Sequence, residues 1–188
     1  DDGTMWIVVD TVMNRGDLRL LPQHIANNAE DLGFNHFDNV VWYKPTAIAG
    51  MTSRNVVNKH EYVVALSKNP DFFLNPNPKT ENGVEDPGIL DSGPLGNVFR
   101  HPVKRGTIGQ NVLHKAPYPL SLIIRLVRLS TKPGDVVLDP FLGSGTTAES
   151  ALKLDRKCIG YEINPEFEEL LRERLNIADN DQLTLGEY

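Results

Sequence analysis

Apolar and polar positions along the chain predict strands that alternate with helices. Apolar runs indicate strands at residues 4–9, 36–43, 62–67, 136–138 and 157–161, and helical spacing indicates helices at 22–32, 118–129, 146–154 and 165–175. The strand at 62–67 is expected to run antiparallel to the strand at 36–43, and the strand at 136–138 is expected to be buried. Gly33 is expected to end the first helix, Pro119 to lie in the first turn of its helix, and Asn164 to cap the last helix. Alternating strands and helices are typical of an α/β sheet.

The segment from Val136 to Ala148, VVLDPFLGSGTTA, is the most informative stretch of the chain. A strand ends at Asp139, Gly143 and Gly145 allow a tight turn, and a helix follows. The unpaired N–H groups of a first helical turn face outward and bind ligands. This strand, turn and helix therefore predict a binding site for a nucleoside-bearing cofactor.

Two cofactors fit such a site. Gly143, Gly145 and Ala148 satisfy the G-x-G-x-x-A spacing of dinucleotide sites, and Glu162 lies downstream where an acid binds ribose hydroxyls. A nicotinamide-dependent dehydrogenase is therefore one interpretation. Asp139 favours the other cofactor, because a carboxylate suits the ammonium of a methionine group and repels a pyrophosphate. We therefore predict S-adenosylmethionine.

The motif at 138–147, followed by RKCIGYE at 156–162, closely resembles the cofactor motif of DNA amino-methyltransferases, which methylate adenine N6 or cytosine N4. Upstream segments resemble the same family in its permuted beta order. These segments are 3–10, the Gly-Phe pair at 33–34, WYKP at 42–45, Arg54, HEY at 60–62, the Ser-Lys pair at 67–68 and 114–119. The resemblance covers nearly the whole chain and is lowest across residues 69–110.

The resemblance implies a Rossmann-like S-adenosylmethionine-dependent methyltransferase fold, with a mostly parallel sheet and one antiparallel strand. Residues 1–188 would form a single domain, with residues 69–110 as a loop-rich target-recognition insertion. Glu162 would bind the ribose hydroxyls. The full set of expected cofactor-binding residues is Asp139, Pro140, Phe141, Gly143, Ser144, Gly145, Thr146, Thr147 and Glu162.

The family's catalytic motif, Asp/Asn/Ser-Pro-Pro-Tyr/Phe, matches no segment of the chain. Residues 75–78 and 86–88 lack the double proline and the aromatic. No catalytic residue is therefore assigned, and adenine and cytosine both stay open as targets. We expect an N-terminally truncated methyltransferase whose motif lies upstream of Asp1. The alternative is a non-catalytic DNA-binding or specificity subunit of the same fold.

Composition limits the other functional classes. The chain has 188 residues, a net charge of −6 and one cysteine, Cys158, which is expected to be a buried core thiol. This cysteine usage excludes a disulfide framework and fits a cytoplasmic protein. The five histidines have no paired ligand spacing, so no metal site is expected. The apolar segment 120–129 is too short to cross a bilayer, so no membrane association is expected.

Positive charge is concentrated in one part of the chain. No Asp or Glu occurs between Asp91 and Asp135. Such a stretch suits phosphate contact, so double-stranded DNA is the expected partner. Arg125 and Arg128 are instead expected on the solvent-exposed face of a helix. The expected DNA-binding residues are Arg100, Lys104 and Arg105 on a loop, with Lys44 and Arg54 nearer the cleft.

The missing motif leads to a prediction about activity. Because no segment of this chain can activate an exocyclic amine in the family's manner, we expect the purified 188-residue chain alone to transfer no methyl group. Tritium transfer from labelled S-adenosylmethionine to duplex DNA measures this. Incorporation above that of a protein-free control would contradict the prediction.

Overall fold

The computed structural model describes residues 2–15, 17–46, 58–75, 96–102 and 118–177. They form two compact units, with residues 118–177 in the second. Arg54, Lys104, Arg105 and most of residues 69–110 lie outside the described residues. The elements are β1 (Thr4–Val9), β2 (Val12–Asn14), β3 (Asp17–Arg19), α1 (Leu21–Asp31), β4 (Asn35–Tyr43), β5 (His60–Ser67), β6 (Val98–Arg100), α2 (Leu120–Ser130), β7 (Val136–Asp139), α3 (Thr146–Lys153), β8 (Lys157–Gly160) and α4 (Phe167–Leu175).

The first unit contains a four-stranded sheet in the order β1-β5-β4-β6. β5 pairs antiparallel with β1 and β4, whereas β6 pairs parallel with β4. β1, β4 and β6 therefore run in one direction and β5 runs in the other. This confirms the predicted antiparallel pairing of β4 and β5. The hairpin of β2 and β3 was not predicted, because three-residue strands leave too little alternation to detect.

β5 forms the centre of the first unit. All residues from Val63 to Ser67 are buried, so both faces of this strand are covered. On one face, α1 contributes Ala26 and Ala29 to a core with Val64 and Leu66. The helix ends as predicted at Gly33, whose φ is +78°, with Gly33 N–H donating to Glu30 O and Phe34 N–H to Ala29 O.

The second unit is built on β7 and β8, which pair in parallel with Asp139 opposite Gly160. α3 packs against both strands, and α2 and α4 pack against α3. Arg156, which is buried, donates from Nε to Thr131 Oγ1 (3.0 Å) and from Nη2 to Thr131 O (2.7 Å). These bonds tie the segment before β8 to the end of α2.

Several sequence-based predictions for the second unit were wrong in detail. Arg125 and Arg128 are only 2% and 1% exposed, because α2 is buried on every side from 122 to 129. Val136 and Leu138 are 54% and 61% exposed, because the described helices cover only one face of β7. α2 begins one residue after Pro119, which is its N-cap.

The last helix also begins later than predicted. Asn164 does not cap α4. It starts a preceding turn, in which its Oδ1 accepts from Glu166 N–H (3.1 Å) and its carbonyl from Phe167 N–H (3.1 Å). Cys158 is partly buried rather than fully buried. Burial, followed by the Asp139 carboxylate, raises the pKa of its thiol to about 11. No helix among the described residues has the length and apolar character to cross a bilayer.

Candidate functional site

The carboxyl edge of β7 and β8 carries the predicted glycine turn. Gly143 and Gly145 have φ angles of +52° and +81°, which residues with a Cβ rarely adopt. Gly145 N–H closes the turn on Leu142 O (2.9 Å), and Leu142 N–H donates to Tyr161 O (2.8 Å), just after β8. The turn is therefore anchored to both strands.

Glu162 holds the turn from the end of β8. Its Oε2 accepts from Gly143 N–H (2.7 Å) and its Oε1 from Asn164 N–H (2.8 Å). A carboxylate offers about four lone pairs, and these bonds use two of them. The side chain can therefore orient the turn and still accept bonds from a diol.

Asp139 lies at the end of β7, the strand that neighbours β8. Its Oδ1 accepts from Phe141 N–H (2.9 Å), which fixes the carboxylate against the start of the turn. Phe141 is 88% exposed, and Ile163, directly after Glu162, is 99% exposed. Both side chains offer exposed apolar surface at this edge.

α3 begins directly after the turn. Its N-cap is Gly145, and no side chain caps its first turn. The hydroxyls of Ser144 and Thr146 accept from Arg174 of α4 (2.8 and 2.9 Å), and both residues are buried. The hydroxyls of these two residues are therefore engaged within the unit. An uncapped helix start of this kind attracts anions.

The predicted cofactor-binding residues all lie together at this edge, from Asp139 to Thr147 with Glu162. Their roles stay a prediction. Ile163 and Arg174 were not predicted as site residues. Ile163 follows the acid directly and could have been found from that spacing. Arg174 lies 30 residues from Ser144 on a charged helix, and no sequence signal marks it.

Of the predicted DNA-binding residues, Lys44 and Arg100 lie in the described structure, at the paired ends of β4 and β6, where Tyr43 is opposite Arg100. Arg100 is exposed and ends β6, rather than lying on a loop as predicted. Lys44 is only 9% exposed, and its Nζ lies 2.8 Å from Glu61 Oε1 and 3.8 Å from Asp10 Oδ2. These carboxylates compensate its charge within the unit, and its contact with DNA stays a prediction.

Comparison with known proteins gives consistent matches. A family model described as DNA methylase matches residues 1–173. Type II methyltransferase M.Cfr9I of Citrobacter freundii is 27% identical over 215 residues, which cover 99% of this chain and 69% of that protein. M.BglII of Bacillus subtilis is 33% identical over 152 residues, which cover 73% of this chain and 41% of that protein. The crystal structure of the M1.HpyAVI–SAM complex matches with a TM-score of 0.68 and 26% identity, and the match covers 94% of this chain and 76% of that chain.

The fold and the matches define an S-adenosylmethionine-dependent methyltransferase with an α/β Rossmann-like fold. The chain belongs to the DNA methylase family of N6- and N4-methyltransferases. Its relatives are Type II methyltransferases, the modification enzymes of restriction-modification systems, and DNA is the family's substrate. This confirms the predicted family and cofactor, and it decides against a nicotinamide-dependent dehydrogenase.

The glycine turn leads to a stability prediction. A Cβ on Gly145 would lie 2.5 Å from Leu171 Cδ2, whereas a Cβ on Gly134 (φ +90°) would meet nothing within 4 Å. Gly134→Ala should lower the free energy of unfolding by about 1–2 kcal/mol through positive φ alone. Gly145→Ala should lower it by a further ~1–3 kcal/mol through overpacking. Urea denaturation measures both, and equal losses would show that Leu171 moves aside at little cost in free energy.

Proposed function

We propose that the carboxyl edge of β7 and β8 binds S-adenosylmethionine for methylation of the exocyclic amine of adenine or cytosine in duplex DNA, a reaction for which this chain alone lacks the amine-activating motif. The observation that carries this proposal is the glycine turn, which has the Asp139 carboxylate at its start, the Glu162 carboxylate bonded to Gly143, and the uncapped start of α3 directly after it. Ligands of open α/β sheets bind at this edge.

The methionine group would lie over the turn. The fixed carboxylate of Asp139 suits its ammonium, and the N–H groups at the start of α3 suit its carboxylate. A pyrophosphate would bring two negative charges close to Asp139 instead. The donor set thus favours an amino-acid-bearing nucleoside over a dinucleotide.

The adenosine group would lie toward the end of β8. The two unused lone pairs on the Glu162 carboxylate suit the ribose diol. The exposed side chains of Phe141 and Ile163 offer apolar surface to a purine ring. When bound, S-adenosylmethionine supplies a methyl group on a sulfonium, which is a good leaving group.

The reaction depends mainly on alignment. An exocyclic base amine is a weak nucleophile because its lone pair is delocalised into the ring, and it must leave the base stack to be reached. Holding the cofactor rigidly against the flipped base supplies much of the rate. The turn, fixed from β7, β8 and α4, suits this task.

Contact with duplex DNA is proposed for the acid-free interval from 92 to 134, led by Arg100, Lys104 and Arg105. Positive residues without nearby acids attract a polyanion. Arg54 joins this set as a further cation. Residues 69–110 are proposed as the target-recognition insertion of a single domain that acts on DNA in the cytoplasm.

The cofactor assignment predicts a binding defect. Glu162→Ala removes a charged hydrogen-bond acceptor, so S-adenosylmethionine should bind about 1.5–3 kcal/mol more weakly. Isothermal titration measures this, with NAD as a ligand that should not bind. Glu166→Ala is the matched control, because Glu166 is an exposed acid close by that does not contact the turn. Wild-type affinity in Glu162→Ala would refute the assignment.

The DNA assignment predicts a change in salt dependence. Each phosphate contact releases counterions, so replacing Arg100, Lys104 and Arg105 together by Ala should reduce the log–log salt slope of DNA binding by roughly three. Affinity should fall similarly on unrelated duplexes. Arg19→Ala, an exposed arginine of β3, is the control and should leave the slope unchanged. An unchanged slope in the triple variant refutes phosphate contact, and a loss on one sequence alone would indicate base contact.

A further inference from the structure

Arg174 contacts the cofactor turn from the last turn of α4. Its Nη1 lies 2.6 Å from Ser144 O, 2.8 Å from Ser144 Oγ and 2.9 Å from Thr146 Oγ1. Its Nε lies 3.1 Å from Glu149 Oε2, and the side chain is 9% exposed. One guanidinium therefore bonds both to the turn and to the first helical turn behind it.

The guanidinium suits this geometry for a chemical reason. Its nitrogens lie in one plane, so the group can bond in two directions without bending. Burial lowers the pKa of Arg174 from its ordinary value, and Glu149 acts in the opposite direction. The carboxylate of Glu149 thus supports the charge that bonds to Ser144 and Thr146.

A second contact from α4 reaches the same turn. Leu171, one helical turn before Arg174, approaches Gly145 so closely that a Cβ there would lie 2.5 Å from Leu171 Cδ2. α4 therefore packs on Gly145 and bonds to the residues on both sides of it. Glu162 bonds to Gly143 instead, so the two side chains hold different parts of the turn.

We propose that Arg174 is a positioning residue for cofactor binding, which keeps Ser144, Gly145 and the start of α3 in the conformation that accepts S-adenosylmethionine. The inference rests on the proposed cofactor site. Two glycines make the turn possible but leave it many other conformations. Because apparent affinity falls with the fraction of competent molecules, a side chain that restricts the turn strengthens binding without contacting the ligand.

The test compares two arginines of the same helix. Arg172 pairs with Glu168 one turn away (3.1 Å) and serves as the matched control for Arg174. In the 188-residue chain, Arg174→Gln should raise the Kd for S-adenosylmethionine about tenfold or more, as expected if the competent fraction falls to a tenth. Arg172→Gln should leave the Kd within about twofold, since Arg172 pairs with Glu168 of its own helix and a partly exposed ion pair contributes little.

Hydrogen exchange separates positioning from general destabilisation. The amides of Gly145 and Glu149 donate to Leu142 O and Gly145 O. In ligand-free Arg174→Gln, both amides should exchange faster while those of α2 stay protected, and saturating cofactor should restore protection. Arg172→Gln should show neither change. Faster exchange throughout residues 118–177 would instead indicate a purely structural role and overturn the proposal.

Arg174→Lys keeps the inference testable if Arg174→Gln does not fold. Lysine retains the charge and the apolar stem but cannot bond in two fixed directions, so an intermediate Kd is expected. If Arg174→Gln folds and binds S-adenosylmethionine with wild-type affinity, the proposal is overturned. If Arg174→Gln does not fold, wild-type affinity in Arg174→Lys overturns it instead. In both cases the wild-type chain still binds, so the cofactor site stands. If the wild-type chain itself binds no S-adenosylmethionine, the proposed site fails and this inference fails with it.

Discussion

The glycine turn after β7 is the feature on which the second unit depends. Positive φ at Gly143 and Gly145 directs the chain from the strand into α3, but glycine is also the residue with the most conformational freedom to lose. Hydrogen bonds that the turn donates to Tyr161 O and to the Glu162 carboxylate therefore restrict its conformation, and both require β8 to pair with β7 in its observed register. A Cβ at Gly160 of β8 would lie 2.6 Å from Leu142 Cδ2, so a side chain at this position would press on the turn residue Leu142.

In the first unit, the compensation of a buried charge likewise depends on strand pairing. At the end of β4, Lys44 is enclosed by Glu61 and Asp10, and Asn58 Nδ2 bonds to both oxygens of Asp10 (2.9 and 3.1 Å). The antiparallel direction of β5 makes this possible, because it brings the start of β5 beside the ends of β1 and β4. A lysine read from sequence as a DNA contact is thus compensated by residues that only strand pairing brings near.

Local signals made much of this fold predictable. β1, the end of α1 at Gly33 and the strand–turn–helix around Gly143 all follow from periodicity and glycine within short windows. The failures needed tertiary information. Arg125 and Arg128 have the spacing of an exposed face, yet the neighbours of α2 bury them. Arg174 meets Ser144 across 30 residues, and no local pattern encodes such a contact.

In the proposed function, the uneven charge of the chain suits the two partners that it brings together. S-adenosylmethionine carries positive groups, which suit an edge with Asp139 and Glu162, whereas DNA presents a dense row of phosphates that those acids repel. A uniformly basic surface would weaken the first interaction and a uniformly acidic one the second. With both sites as proposed, the acids of the cofactor edge lie apart in the sequence from the acid-free interval before Asp135, within a net charge of −6. A net negative charge is therefore compatible with the proposed DNA contact, because the distribution of charge along the chain matters more than its sum.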